Sequence, residues 1–140
     1  MSAAAVVFVD TSGMYAVLDA DDDRHSHAAA VWTELLDQLA EGTVTLMTSS
    51  VHLIEMTALV QSRLGMEAAK VLIDDIEPLF EIVWIDGDLH AQATTALLAA
   101  DRRAVSLVDW CAFVIMRNRA IDQAFAYDDD FAKQGFALID

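Results

Sequence analysis

The sequence is short of cysteine, proline, glycine and, above all, lysine. Cys111 is its only cysteine, so no disulfide can close within the chain. That suits a reducing compartment, and the cytoplasm is the expected location. Lys70 and Lys133 are the only lysines, and 8 basic residues stand against 23 acids, a net charge of −15. A protein that grips nucleic acid through counterion release carries a basic patch. Composition alone therefore speaks against a passive nucleic-acid binder. It is compatible with a metal site, a basic partner or simple solubility. No apolar run approaches the roughly 18 residues of a membrane span. Residues 1–10 lack the basic start and long apolar stretch of a signal peptide. No repeat, low-complexity tract or linker interrupts the chain.

What is present is apolar: 56% of the 140 residues, enough for one domain over 1–140 with a real core. Short β-branched and aromatic runs at 6–9, 43–47, 80–85, 121–127 and 136–139 read as strands. Helical spacing marks 13–20, 27–39, 51–64, 66–76, 86–100 and 107–118. Thr11 or Ser12 can cap the first helix and Ser106 the last, Gly42 and Gly65 end two others, and Pro78 closes the fourth. Residues 131–134 make one helical turn. Alternation of this kind predicts an α/β fold, a mainly parallel five-stranded sheet with helices on both faces.

In such sheets ligands bind outside the carboxyl ends of the strands. Asp10 follows the first strand and Asp128 follows the strand 121–127, and those two strands can be neighbours. Glu55 lies in the helix after the second strand, and Asp109 in the first turn after Ser106. Four acids from four segments can thus face one edge. Crowded carboxylates raise one another's pKa unless a cation neutralises them, and hard oxygen ligands suit Mg²⁺ or Mn²⁺. The plain alternative is a polar strand end at Asp10, a solvated Glu55 and a helix-start acid at Asp109.

At these residues the chain resembles the PIN-domain family. Val6-Val7-Phe8-Val9-Asp10-Thr11-Ser12 resembles its first motif, a hydrophobic strand ending in Asp and a hydroxyl residue. Thr48-Ser49-Ser50-Val51-His52-Leu53-Ile54-Glu55 resembles the second, Ser106-Leu107-Val108-Asp109-Trp110 the third, and Ala124-Phe125-Ala126-Tyr127-Asp128-Asp129-Asp130-Phe131 the fourth. The motifs run in order over nearly the whole chain. The resemblance implies a metal-dependent endoribonuclease acting on single-stranded RNA. Short free-standing members are mostly VapC-type toxins of type II toxin–antitoxin pairs, which implies a cognate antitoxin and a homodimer. It makes Asp10, Asp109 and Asp128 metal ligands, directly or through water. Glu55 then binds a second metal or orients the attacking water. Ala126 departs from the pattern by replacing the usual Thr or Ser before the fourth acid, and Asp129 and Asp130 can share the role of Asp128.

Other residues read as structural. His52 can share a face with Glu55, but a partly buried structural histidine is the expectation. His25 and His27 belong to a solvated loop and helix start. Trp32, Trp84, Trp110 and the methionines are expected in the core, and Cys111 as a buried small residue. Arg102 and Arg103 can meet phosphates or pair with surface acids. Rival functions are a phosphotransfer protein, a non-catalytic PIN-like binding module and a housekeeping RNA-processing nuclease. The first is disfavoured: Asp10-Thr11-Ser12 lacks an acid two residues on, and Lys133 lies past the strand end where a receiver places its lysine.

Overall fold

Each of the central strands sends alternate residues to opposite faces, and both faces are covered. The computed structural model describes residues 3–140. Val7 and Val9 of β1 (Ala5–Val9) pack on one side of the sheet and Phe8 on the other. Leu46 and Met47 of β2 (Val44–Ser49) divide in the same way, as do Phe125 and Ala124 of β4 (Gln123–Phe125). With β3 (Phe80–Val83) and β5 (Ala137–Leu138) they form a sheet of order β3-β2-β1-β4-β5, every pair parallel. Strands buried on both sides must be apolar throughout, which is why they read as short unbroken hydrophobic runs.

One core lies under α1 (Thr11–Leu18), α2 (His25–Glu41), α3 (Ser50–Leu64) and α4 (Met66–Val71), around Met14, Trp32, Leu35, Leu53 and Phe80. The other lies under α5 (Gly87–Ala100) and α6 (Leu107–Asn118), around Phe113, Ile115, Met116 and Phe131 of the short α7 (Asp130–Lys133). Burying each large apolar side chain contributes roughly 1.5–3 kcal/mol, so these layers, not helix propensity, hold the sheet. The chain builds β1, β2 and β3 outward in one direction and then returns to place β4 on the other side of β1. The reversal opens a crevice between the carboxyl ends of β1 and β4.

Three expectations are corrected. The helix expected over 66–76 is α-helical only to Val71; Leu72–Ile76 is a π turn and Glu77–Leu79 a 3₁₀ turn. Pro78 lacks the N–H that a continuing helix needs, so the backbone changes pitch before it. Trp84 is 70% exposed and Met66 is 55% exposed, so neither fills the core. Trp84 sits just past β3, the edge strand, where one edge has no neighbouring strand. The fourth strand covers three residues, not seven, because Ile121 and Tyr127 lie outside the ladder.

Candidate metal centre

Asp10 stands one residue past β1 and is itself the N-cap of α1, a task assigned above to Thr11 or Ser12. Its Oδ2 accepts from the Ser12 N–H at 3.1 Å and from the Ser12 hydroxyl at 2.6 Å. Ser12 Oγ also accepts from the Tyr127 N–H at 2.9 Å, and the Asp10 N–H donates to the Phe125 carbonyl at 3.0 Å. One serine therefore ties the first acid to the segment that carries Asp128. Asp10 is only 5% exposed. Burial pushes its carboxyl up, but His52 and the Ser12 hydrogen bonds outweigh that and leave it below the ordinary carboxylate value. His52 Nε2 lies 3.5 Å from Asp10 Oδ1.

The hydroxyls of Thr48 and Ser50 hold strand ends together, and that of Ser49 starts the next helix. Thr48 donates to the Val9 carbonyl at 2.8 Å, Ser49 caps α3, and Ser50 accepts from the Ile85 N–H at 3.0 Å. This lashes the carboxyl ends of β1, β2 and β3 side by side and starts α3 at the same edge. Glu55 then follows on an exposed position of α3.

Asp109 is placed by a capping box. The Asp109 N–H donates to Ser106 Oγ at 3.1 Å, and the Ser106 N–H donates to Asp109 Oδ2 at 3.0 Å. The cap is worth about 1 kcal/mol, little beside the core, so its main effect here is to aim the carboxylate. Desolvation raises the Asp109 pKa, and the charges of Asp10 and Glu55 raise it further. Asp128 is pushed up to about 6, first by desolvation and then by the charges of Asp109 and Asp130. Asp10 and Glu55 thus act on Asp109 through their charge, but neither belongs to the close oxygen cluster. One oxygen each from Asp109, Asp128 and Asp130 lie within 4.8 Å of one another.

Asp130 is the acid that sequence reasoning left open. The Asp130 N–H donates to Asp128 Oδ1 at 2.9 Å, a tight turn that brings residues two apart to one side, whereas Asp129 is exposed. Lys133 Nζ reaches Asp130 at 3.9 Å. Ala126, the departure from the family pattern, is 3% exposed in the second core, so the missing hydroxyl is replaced by packing. Oxygen-only donors in mutual repulsion fit a hard divalent cation: such a group binds it by removing the repulsion.

Positive charge near this edge is sparse but unspent. Among the described residues no arginine forms an ion pair, contrary to the surface pairing considered above. Arg102 and Arg103 are exposed in the loop leading to Ser106. Arg24 lies over the Tyr127 ring, whose hydroxyl meets His27 Nδ1.

An open parallel α/β sheet with carboxylates gathered at its topological switch defines the class of protein. The family model described as the PIN domain matches residues 7–137. The chain is 33% identical over 135 residues to the 23S rRNA-specific endonuclease VapC20 of Mycobacterium tuberculosis, 96% of this chain and 98% of that one. The crystal structure of that VapC20, described as a sarcin–ricin loop cleaving toxin, superposes with a TM-score of 0.78 over 94% of this chain and 96% of the other. FitAcB from Neisseria gonorrhoeae shares the fold at 16% identity, with a TM-score of 0.68 over 96% of each chain. The chain belongs to the PIN-domain family.

Proposed function

We propose that this chain is a metal-dependent endoribonuclease and the toxin of a type II toxin–antitoxin pair, a single PIN domain working in the cytoplasm. The observation that carries the reading is the close cluster of Asp109, Asp128 and Asp130, with one oxygen each within 4.8 Å of one another, and the charges of Asp10 and Glu55 acting on Asp109 beside it. The likeness to VapC20 over 96% of the chain supports the same activity. Among the described residues no helix is long and apolar enough to cross a membrane.

Asp10, Asp109 and Asp128 would hold Mg²⁺ or Mn²⁺, with Asp130 as a further ligand and Glu55 holding a second ion or orienting water. Bound metal would supply a lowered water pKa and a counter-charge for the phosphodiester. The chain's own work is positional. Ser12 and the Ser106 cap aim two carboxylates, and the hydroxyls of Thr48 and Ser50 set the spacing of the strand ends. The unpaired Arg102 and Arg103 offer the RNA backbone contacts that an acidic protein otherwise lacks. Because the relative cuts 23S rRNA, ribosomal RNA is the first substrate to test.

An antitoxin partner follows from the same likeness. The apolar residues of α1 and α2 do not argue for it separately, since Met14, Val31 and Leu35 are core. A homodimer is supported by the exposed Ile54, Ile73 and Trp84, which line one shallow groove beside the edge strand. Purified protein with Mn²⁺ should cleave ribosomal RNA, and expression should arrest growth unless a neighbouring gene's product is present. Cleavage without arrest would make it a housekeeping nuclease; neither would make it a non-catalytic module.

A further inference from the structure

His52 is fully buried in the first turn of α3, with its ring edge-on to Phe8 at 5.1 Å between centroids. As mere filling it is a poor choice. A buried polar nitrogen left unpaired is destabilising, and leucine would fill the space without that cost. Its two nitrogens face different groups. Nδ1 lies 2.5 Å from Ser49 Oγ. Nε2 has no hydrogen bond of ordinary geometry, and it faces Asp10 Oδ1 at 3.5 Å.

The hydrogens can be assigned along this chain. Ser49 Oγ accepts the His52 backbone N–H at 3.2 Å. Its own hydroxyl hydrogen is then free to go to Nδ1, which accepts it. With Nδ1 accepting, the ring hydrogen lies on Nε2, directed at the carboxylate. Ser12 already holds the other oxygen, Oδ2. We propose that His52 is a positioning residue for the metal centre: its Nε2–H restrains Asp10 Oδ1 while Ser12 restrains Oδ2, so the carboxylate plane is set before a cation arrives. The inference rests on Asp10 being a metal ligand. Removing a group that orients a ligand from behind typically changes metal affinity roughly 10–100-fold.

The test is Mn²⁺ binding by calorimetry on the folded, full-length protein, with Asp10→Asn as control. His52→Leu keeps the volume and removes the donor; His52→Gln keeps an N–H at a similar reach. The expected result is Mn²⁺ affinity lower by about tenfold or more in His52→Leu and restored to within a few-fold of wild type in His52→Gln. Wild-type affinity in folded His52→Leu, or equal weakening in both variants, overturns the proposal. Should His52→Leu not fold, ¹⁵N NMR of the wild-type imidazole decides: a hydrogen on Nε2 supports it and a bare Nε2 contradicts it. If Asp10→Asn itself leaves Mn²⁺ binding untouched, the metal-centre reading fails, which is a different outcome from failure of the His52 role.

Discussion

Gly13 passes so close to Phe125 that a Cβ on it would stand 2.5 Å from the Phe125 carbonyl oxygen. The same carbonyl accepts the Asp10 N–H. The start of α1 is thus pressed against the end of β4, and that approach sets the distance between Asp10 and the segment bearing Asp128. Gly13→Ala forces backbone apart, not a flexible side chain. Overpacking of this kind typically costs about 1–3 kcal/mol. Urea unfolding should show that loss, and RNA cleavage should fall more than the unfolded fraction explains.

The acid pair gives a pH signature. Asp128 is raised to about 6 and Asp109 is raised too. For an acid with a raised folded pKa, the folded state takes up protons between the ordinary value and the raised one. Metal-free protein should therefore gain stability as pH falls from about 7 through 6 toward the ordinary carboxylate range of about 4. Asp10 acts oppositely, being lowered: its contribution is present above the ordinary value and is lost only at more acid pH. With Mn²⁺ the trend between about 4 and 7 should reverse, because protons compete with the cation. Thermal melts across this range, with chelator and with Mn²⁺, check both halves.

Asp130 and Asp129 separate the metal cluster from mere acidity. Asp130 joins Asp109 and Asp128, and Asp129 does not. Asp130→Asn should weaken Mn²⁺ binding about tenfold, on the scale of a perturbed metal shell. Asp129→Asn should change it less than twofold. Equal effects of the two would mean that charge alone, not ligation, governs binding.

Arg102 and Arg103 have no acidic partner among the described residues. Replacing both with alanine should raise KM for RNA and leave kcat nearly unchanged. For every phosphate these arginines neutralise, the double substitution should also flatten the log–log salt dependence of binding by about 0.7 for a single strand. An unchanged slope would place the RNA elsewhere.

Much of this was legible in the residues. Strands buried on both faces read as short apolar runs, so the strand count and the parallel sheet followed from Val6–Val9 and its counterparts. The acids at strand ends and helix starts pointed to one edge. Other features depend on contacts between distant segments. Nothing in the order of residues shows that Ser12 meets the Tyr127 N–H, or that His52 is buried against Asp10. Asp130 and Asp129 look alike in sequence, and only the turn at Asp128 separates them. Trp84 misled because aromatic residues are core by habit, and an edge strand leaves one side open.

Carboxylates from separate segments are proposed to hold a divalent cation at the end of the sheet. Crystals grown with Mn²⁺ and measured at its absorption edge test this directly. An anomalous peak is expected between Asp10, Asp109 and Asp128, and it should be lost in crystals of Asp109→Asn. No peak there at saturating Mn²⁺, or one that survives the substitution, would contradict the proposal.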